Sequence, residues 1–289
     1  MNRHILFDRA MLWAVNRFGE PFFSASTESP PFEEHLEKLR LDPLDVGGAG
    51  ASEIGAHTLA GTIGERFNVL HYLGPNAPLL VYNMGGGESP FDKTMQRTYP
   101  PSVKPPFSVV AVEAPYQRTL SQLKASFAHL NTYLAMIATA VKTTETILQH
   151  DAFAGSAAKV VAGASLGGFV SNRHHMVYDS ADAYVPFVAG TRHGEIFLST
   201  VPAAPAARAQ PEYLRERLNF DTAWFERSHP NVFPQLGRFD QLNRLEVQGP
   251  SYGDMEIDIW DGGHLYNYYH PKLMREKFRR VFTLLGATW

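Results

Sequence analysis

Ser165 is the residue most readily turned into a nucleophile. It stands in Gly163-Ala164-Ser165-Leu166-Gly167, with an apolar run at 159–162 before it and a helix-like stretch after it. Gly-x-Ser-x-Gly between a strand and a helix makes a sharp turn, the nucleophile elbow. It holds serine at the apex in a strained backbone conformation, with the hydroxyl projecting from the end of the sheet. Gly163 and Gly167 leave room where strand and helix pass close to the turn. A helix starting at Leu166 offers its first N–H groups to a developing anion. Such a serine suits acyl transfer if a base and a group that orients the base lie within reach.

Twelve histidines could supply the base. With a nucleophile of this kind the chain order is serine, acid, histidine. His264 fits that order. It lies in Asp261-Gly262-Gly263-His264-Leu265, directly after the strand-like run 255–260. His174 and His175 fall two to three turns into the helix after Ser165 and read as structural. His193 and His229 flank residues 190–228 and could line a pocket, and His270 precedes Pro271 as a helix-start residue. For the acid, Asp240 follows the strand candidate 232–236 and a glycine at 237. Its carboxylate would accept Nδ1–H of His264 and hold the tautomer. Asp254 lies before the last strand and Asp258 inside it. Asp261, three residues from His264, stays open as an alternative.

An oxyanion needs two donors. One is the N–H of Leu166. The second should come from Asn83-Met84-Gly85-Gly86-Gly87, the loop after run 78–83, through Met84 or Gly85. The loop lacks Gly-x-Gly-x-x-Gly spacing and no Gly-Lys-[Ser/Thr] follows, so a nucleotide site is not expected. There is no His-Glu-x-x-His and no cysteine. Neither a metal nor a cofactor is needed for this chemistry.

These residues require strands that end at a common edge. Runs 67–73, 78–83, 107–113, 159–164, 183–189 and 255–260 read as strands, with Pro186 arguing for an edge position or a bulge. Residues 120–149 read as one long helix and 271–285 as a terminal amphipathic one. Residues 5–18 show apolar spacing near that of a helix, with Gly19 as its stop and the apolar stripe as core. Residues 31–40 suggest a short charged helix. Residues 41–55, with four glycines, read as a loop. Alternating strands and helices predict an α/β fold, a mostly parallel central sheet with helices on both faces. One domain spans 1–289, with 1–60 as an N-terminal helical extension and 190–228 as a cap over the strand ends. In that cap Phe197 and Trp224, together with Asn83 and Tyr116, are candidate pocket residues.

The elbow, Asp240, the Gly262-Gly263-His264-Leu265 segment and the glycine loop after an early strand resemble the α/β-hydrolase superfamily over roughly residues 60–289. The resemblance implies Ser165 as nucleophile, Asp240 as acid, His264 as base, and Leu166 with Met84 or Gly85 as oxyanion donors. The sequence departs from the common pattern at Asn83, where many members carry histidine. The activity implied is hydrolysis of an ester, thioester or related acyl bond through an acyl-enzyme. A non-hydrolytic triad enzyme (acyltransferase, C–C bond cleavage or lyase) and a non-catalytic binding member are the alternatives.

Composition narrows the partners. The formal net charge of −3 gives no electrostatic footprint for nucleic acid. No apolar run approaches the roughly 20 residues needed to span a bilayer. The N-terminal stretch, interrupted by Arg3, His4, Asp8 and Arg9, is unlike a signal peptide. The expectation is a cytoplasmic protein acting on a small-molecule acyl substrate.

Overall fold

The computed structural model describes residues 2–18, 20–46, 48–117, 120–268 and 270–287. Gly19, the expected stop of the first helix, lies outside the described residues. The described strands are β1 Arg40–Leu41, β2 Gly50–Thr58, β3 Gly61–His71, β4 Leu79–Asn83, β5 Ser108–Val112, β6 Lys159–Ala164, β7 Ala183–Phe187, β8 Gln235–Gly237 and β9 Asp258–Trp260. They form one sheet in the order β1-β2-β3-β5-β4-β6-β7-β8-β9. The pairs from β1 to β5 are antiparallel and those from β5 to β9 are parallel. Strand order reverses around β4, which lies between β5 and β6.

The central strands are buried along their whole length, as their unbroken apolar character requires. Alternate side chains serve opposite layers. Leu79, Val81 and Val161 pack with Ile147, Leu148 and Phe169 from helices Leu130–Gln149 and Leu166–Val177. Leu80, Tyr82 and Val160 pack with Met274, Phe278 and Phe282 of the terminal helix Pro271–Leu284. Helices therefore cover both faces, as expected. No helix among the described residues is long and apolar enough to cross a membrane.

Four local expectations fail, each for a tertiary reason. Residues 50–55 are not loop but part of β2, which pairs with β3 at nine positions. Its pattern is weak because only Ile54 and Ala56 are buried, so pairing rather than propensity makes the strand. Residues 120–149 are two helices, Leu120–Ala128 and Leu130–Gln149, broken at the extended residue His129. The N-terminal segment enters there: Phe23 and Ala25 donate to Phe127 O and Ala128 O, and Leu130 N donates to Ser26 O.

Pro186 lies on an interior strand, between β6 and β8. Tyr184 N and Val188 N donate toward Asn231 O and Gln235 O, so the N–H missing at Pro186 falls on the same side, where the ladder is interrupted. Finally, the apolar stripe of helix Arg3–Phe18 is only partly core: Ile5, Met11 and Leu12 are half-buried, whereas Phe7 is 62% exposed and Leu6 45%, and Asp8 is buried. Between residues 190 and 228 lie four short helices, Gly194–Ser199, Pro205–Arg208, Pro211–Leu218 and Asp221–Phe225.

Candidate active site

Ser165 sits between β6 and helix Leu166–Val177 with φ 54° and ψ −114°. A non-glycine residue at positive φ is held there against a cost of about 1–3 kcal/mol. The surroundings enforce it. Ser165 N donates to Phe187 O of β7 at 2.9 Å. A Cβ at Gly163 would stand 2.2 Å from Gly167 O, and one at Gly167 would stand 2.0 Å from Asn83 O. Both glycines are thus required by close backbone approach at the ends of β6 and β4.

Asp240 and His264 leave the same edge. Phe239 N donates to Gly262 O, joining the loop after β8 to the loop after β9. His264 opens a short helix, His264–Tyr268, and its ring is buried. His264 Nε2 is 3.0 Å from Ser165 Oγ, and His264 Nδ1 is 2.8 Å from Asp240 Oδ2. An ionised carboxylate only accepts, so Nδ1 carries the proton and Nε2 is left to accept from the serine hydroxyl. The other carboxylate oxygen, Asp240 Oδ1, accepts Leu242 N and Asn243 N at 2.8 Å each. Asp240 is thereby oriented from behind. Asp261 points elsewhere: Arg238 Nε donates to its Oδ1 at 2.6 Å on the surface.

Burial pushes the His264 imidazole toward its neutral form. The charge and hydrogen bond of Asp240, with the charge of Asp8, outweigh that and hold the imidazole above its ordinary value. A base raised in this way suits proton transfer from serine.

The glycine loop differs from expectation in its donors. Met84 N–H is spent in the sheet, donating to Val112 O at 3.1 Å. Gly85 N donates to Glu88 Oε2 at 3.3 Å, and Gly87 N to Gln117 Oε1 at 2.6 Å. Gly86 N has no acceptor among the described residues, and a Cβ at Gly86 would lie 3.8 Å from Leu166 Cβ. The loop therefore presents Gly86 beside Leu166. Leu166 itself opens its helix, so its N–H has no intrahelical acceptor.

The candidate pocket residues each have partners of their own, and Asn83 lies against the Ser165 turn through its backbone. Trp224 is core, stacked on His229 at 3.8 Å. Phe197 is buried in an aromatic cluster with Phe22, Phe23 and Tyr133. Tyr116 packs on Leu39, Ala56 and Ile63. Asn83 Oδ1 accepts from Thr144 Oγ1 at 3.1 Å. His193 stacks on Phe169 at 3.9 Å and pairs with Tyr133 rather than the serine. His174 and His175 bond Glu145 and Asp179. Among the described residues no group of three or more His, Cys, Asp or Glu side chains is placed to hold a metal ion.

One residue near the site escaped sequence reasoning. Asp8, from the first helix, accepts the backbone N–H of His264 at 2.7 Å. Its signal was faint: a carboxylate on the apolar face of an amphipathic helix, between Ile5 and Leu12.

No protein-family profile matches the sequence, and no curated protein matches it. Solved structures do match in shape. The acetyl xylan esterase from Paenibacillus sp. R4 superposes with a TM-score of 0.55 at 9% identity, over 98% of this chain and 95% of that one. Acetyl xylan esterase 1 from Thermoanaerobacterium sp. JW/SL YS485 gives 0.57 at 12% identity, over 91% and 96%. Est1E from Butyrivibrio proteoclasticus gives 0.59 at 13% identity, over 83% and 100%. At such identities the likeness is one of fold, and the fold that this chain shares with them is that of the α/β-hydrolases.

Proposed function

We propose that this protein is a serine hydrolase that cleaves an ester, thioester or related acyl bond through an acyl-enzyme on Ser165. The observation that carries this reading is the continuous path from Ser165 Oγ through the His264 ring to Asp240 Oδ2, at 3.0 and 2.8 Å. Ser165 Oγ attacks the acyl carbonyl while His264 Nε2 takes its proton. Asp240 stabilises the imidazolium without becoming protonated. The tetrahedral oxyanion is received by the N–H groups of Leu166 and Gly86. Losing one such donor commonly costs about 2.7–4 kcal/mol of barrier. His264 then protonates the leaving alcohol or thiol, which departs as the carbonyl re-forms. In the second half, water gives a proton to His264 and attacks the acyl-enzyme, and His264 returns that proton to Ser165 Oγ as the acid leaves.

Two of the structural neighbours are named for acetyl esters. An acetyl ester therefore heads a substrate panel of graded acyl length. The reading is tested with a serine-directed fluorophosphonate. The expected result is one adduct, mapped to Ser165, together with ester turnover, and loss of both in a folded Ser165→Ala protein. A folded wild-type protein that takes no adduct would overturn it.

A further inference from the structure

Helix Arg3–Phe18 touches the proposed triad through a polar contact. Asp8 is 1% exposed, and its Oδ2 accepts two backbone N–H groups, from His264 at 2.7 Å and from Gln241 at 3.2 Å. One donor is the proposed base itself; the other is the residue after the proposed acid. A turn earlier on the same face, His4 meets the same two loops. Its ring packs edge-on to Tyr266 at 4.6 Å and parallel to Phe239 at 6.4 Å. Arg9 Nε adds a bond to Gln241 Oε1 at 3.3 Å. The contact is closely fitted: a Cβ on Gly263 would stand 2.7 Å from Asp8 Oδ2.

We propose that Asp8 is a positioning residue for the triad, a buried carboxylate that clamps the acid loop to the histidine loop and adds negative charge behind His264. The proposal rests on the serine-hydrolase reading of Ser165, Asp240 and His264. Both loops are short, irregular segments beyond three-residue strands, and neither strand is long enough to fix its loop by pairing alone. An anion bonded to both loops adds to the Phe239 N–Gly262 O bond in setting their separation, which is the distance on which the Asp240–His264 bond depends. Burial of a carboxylate without such donors would be costly, and two N–H groups compensate it.

The charge has a second effect. His264 becomes cationic during acyl transfer, and a second carboxylate favours that form. Burial raises the Asp8 carboxyl above its usual range. The two N–H bonds and the His264 charge act against this, while Asp240 adds to it. Among the described residues the charged and titratable groups at this junction are Asp240 and His264 from the two loops, Tyr266 from the helix that His264 opens, His4 and Arg9 from the first helix, and the exposed Arg238–Asp261 pair.

The test is Asp8→Asn, which keeps the volume and removes the charge. The acid limb of kcat/KM reports the base in the free enzyme. In the wild type it should lie above the ordinary histidine value and in Asp8→Asn it should move to lower pH. Asp8→Ala removes the clamp as well as the charge, and misplacing catalytic groups by about an ångström costs up to roughly 100-fold. The expected fall in kcat for Asp8→Ala is about 10- to 100-fold with KM within about twofold, an outcome that general destabilisation would not give together with a shifted limb. NMR titration of the His264 ring should show the same downward shift without any turnover. That measurement separates the two claims: a wild type that neither labels nor turns over sinks the hydrolase reading, whereas an unshifted His264 in folded Asp8→Asn sinks the role of Asp8. Should Asp8→Asn not fold, Gly263→Ala displaces the same carboxylate. It should lower kcat in the same sense, and full activity in that variant would overturn the proposal.

Discussion

Two aspartates compete on paper for the role of acid, and their surroundings separate them. Asp240 is buried, accepts two backbone N–H bonds and meets His264 at 2.8 Å. Asp261 is exposed and spent on Arg238. Asp240→Asn should therefore lower kcat by roughly 10⁴-fold, because an amide at that position favours the wrong imidazole tautomer. Asp261→Asn should stay within about twofold of wild type, since an exposed pair contributes little. Steady-state kinetics on the two purified variants decides. Equal losses in both would remove the ground for assigning the acid to Asp240.

At the scale of elements, the Ser165 turn is held by the packing of β6, helix Leu166–Val177 and the end of β4. Gly167 is the point of closest approach, with Asn83 O 2.0 Å from where a Cβ would stand. The obstacle is backbone, which cannot rotate away as a side-chain tip could. Gly167→Ala should then destabilise by at least the 1–3 kcal/mol typical of overpacking. It should also lower the rate of fluorophosphonate labelling, because the helix must shift and carries Leu166 N–H with it. Chemical denaturation and labelling kinetics read the two effects separately. A variant with wild-type stability would show that the contact is looser than the geometry states.

The whole molecule stores several buried neutral histidines, and these set its response to acid. Burial pushes His35 and His175 down to about 4 and His193 to about 3. His174 and His229 are lowered as well, again through burial first. In the unfolded chain these rings take up protons near pH 6.5. In the fold His35, His175 and His193 resist until about pH 4 or below. The unfolded state thus binds more protons throughout that window, and stability falls as pH drops from about 6.5 toward 4. Each unit of depression corresponds to about 1.4 kcal/mol per site. His264 and the buried carboxyls of Glu65 and Asp8, all raised in the fold, work in the opposite sense, against five lowered histidines. Urea midpoints measured from pH 7.5 to 4 should decline steadily. A flat profile over that range would show that these rings are not held neutral.

Much of this architecture is determined locally. The strand–Gly163–Ser165–Gly167–helix segment can be read from its residues because Gly163 answers to a steric demand four positions away, whereas the atom that Gly167 must clear, Asn83 O, lies on another strand. The central strands are legible because burial on both faces demands unbroken apolar runs. The placement of Asp240 and His264 after later strands follows from chain order along a parallel sheet, whose strands all end at one edge. What only the tertiary structure decided are features whose partners are remote in sequence. β2 exists because β3 pairs with it, and the long helix breaks at His129 because residues 23–26 hydrogen-bond there. Met84 N–H is consumed by Val112 O, leaving Gly86 to face Leu166. Asp8 reaches His264 across 256 positions. No local periodicity encodes such a contact. A backbone N–H finds its acceptor only when two distant segments fold against each other, and residue types alone do not say which segments those are.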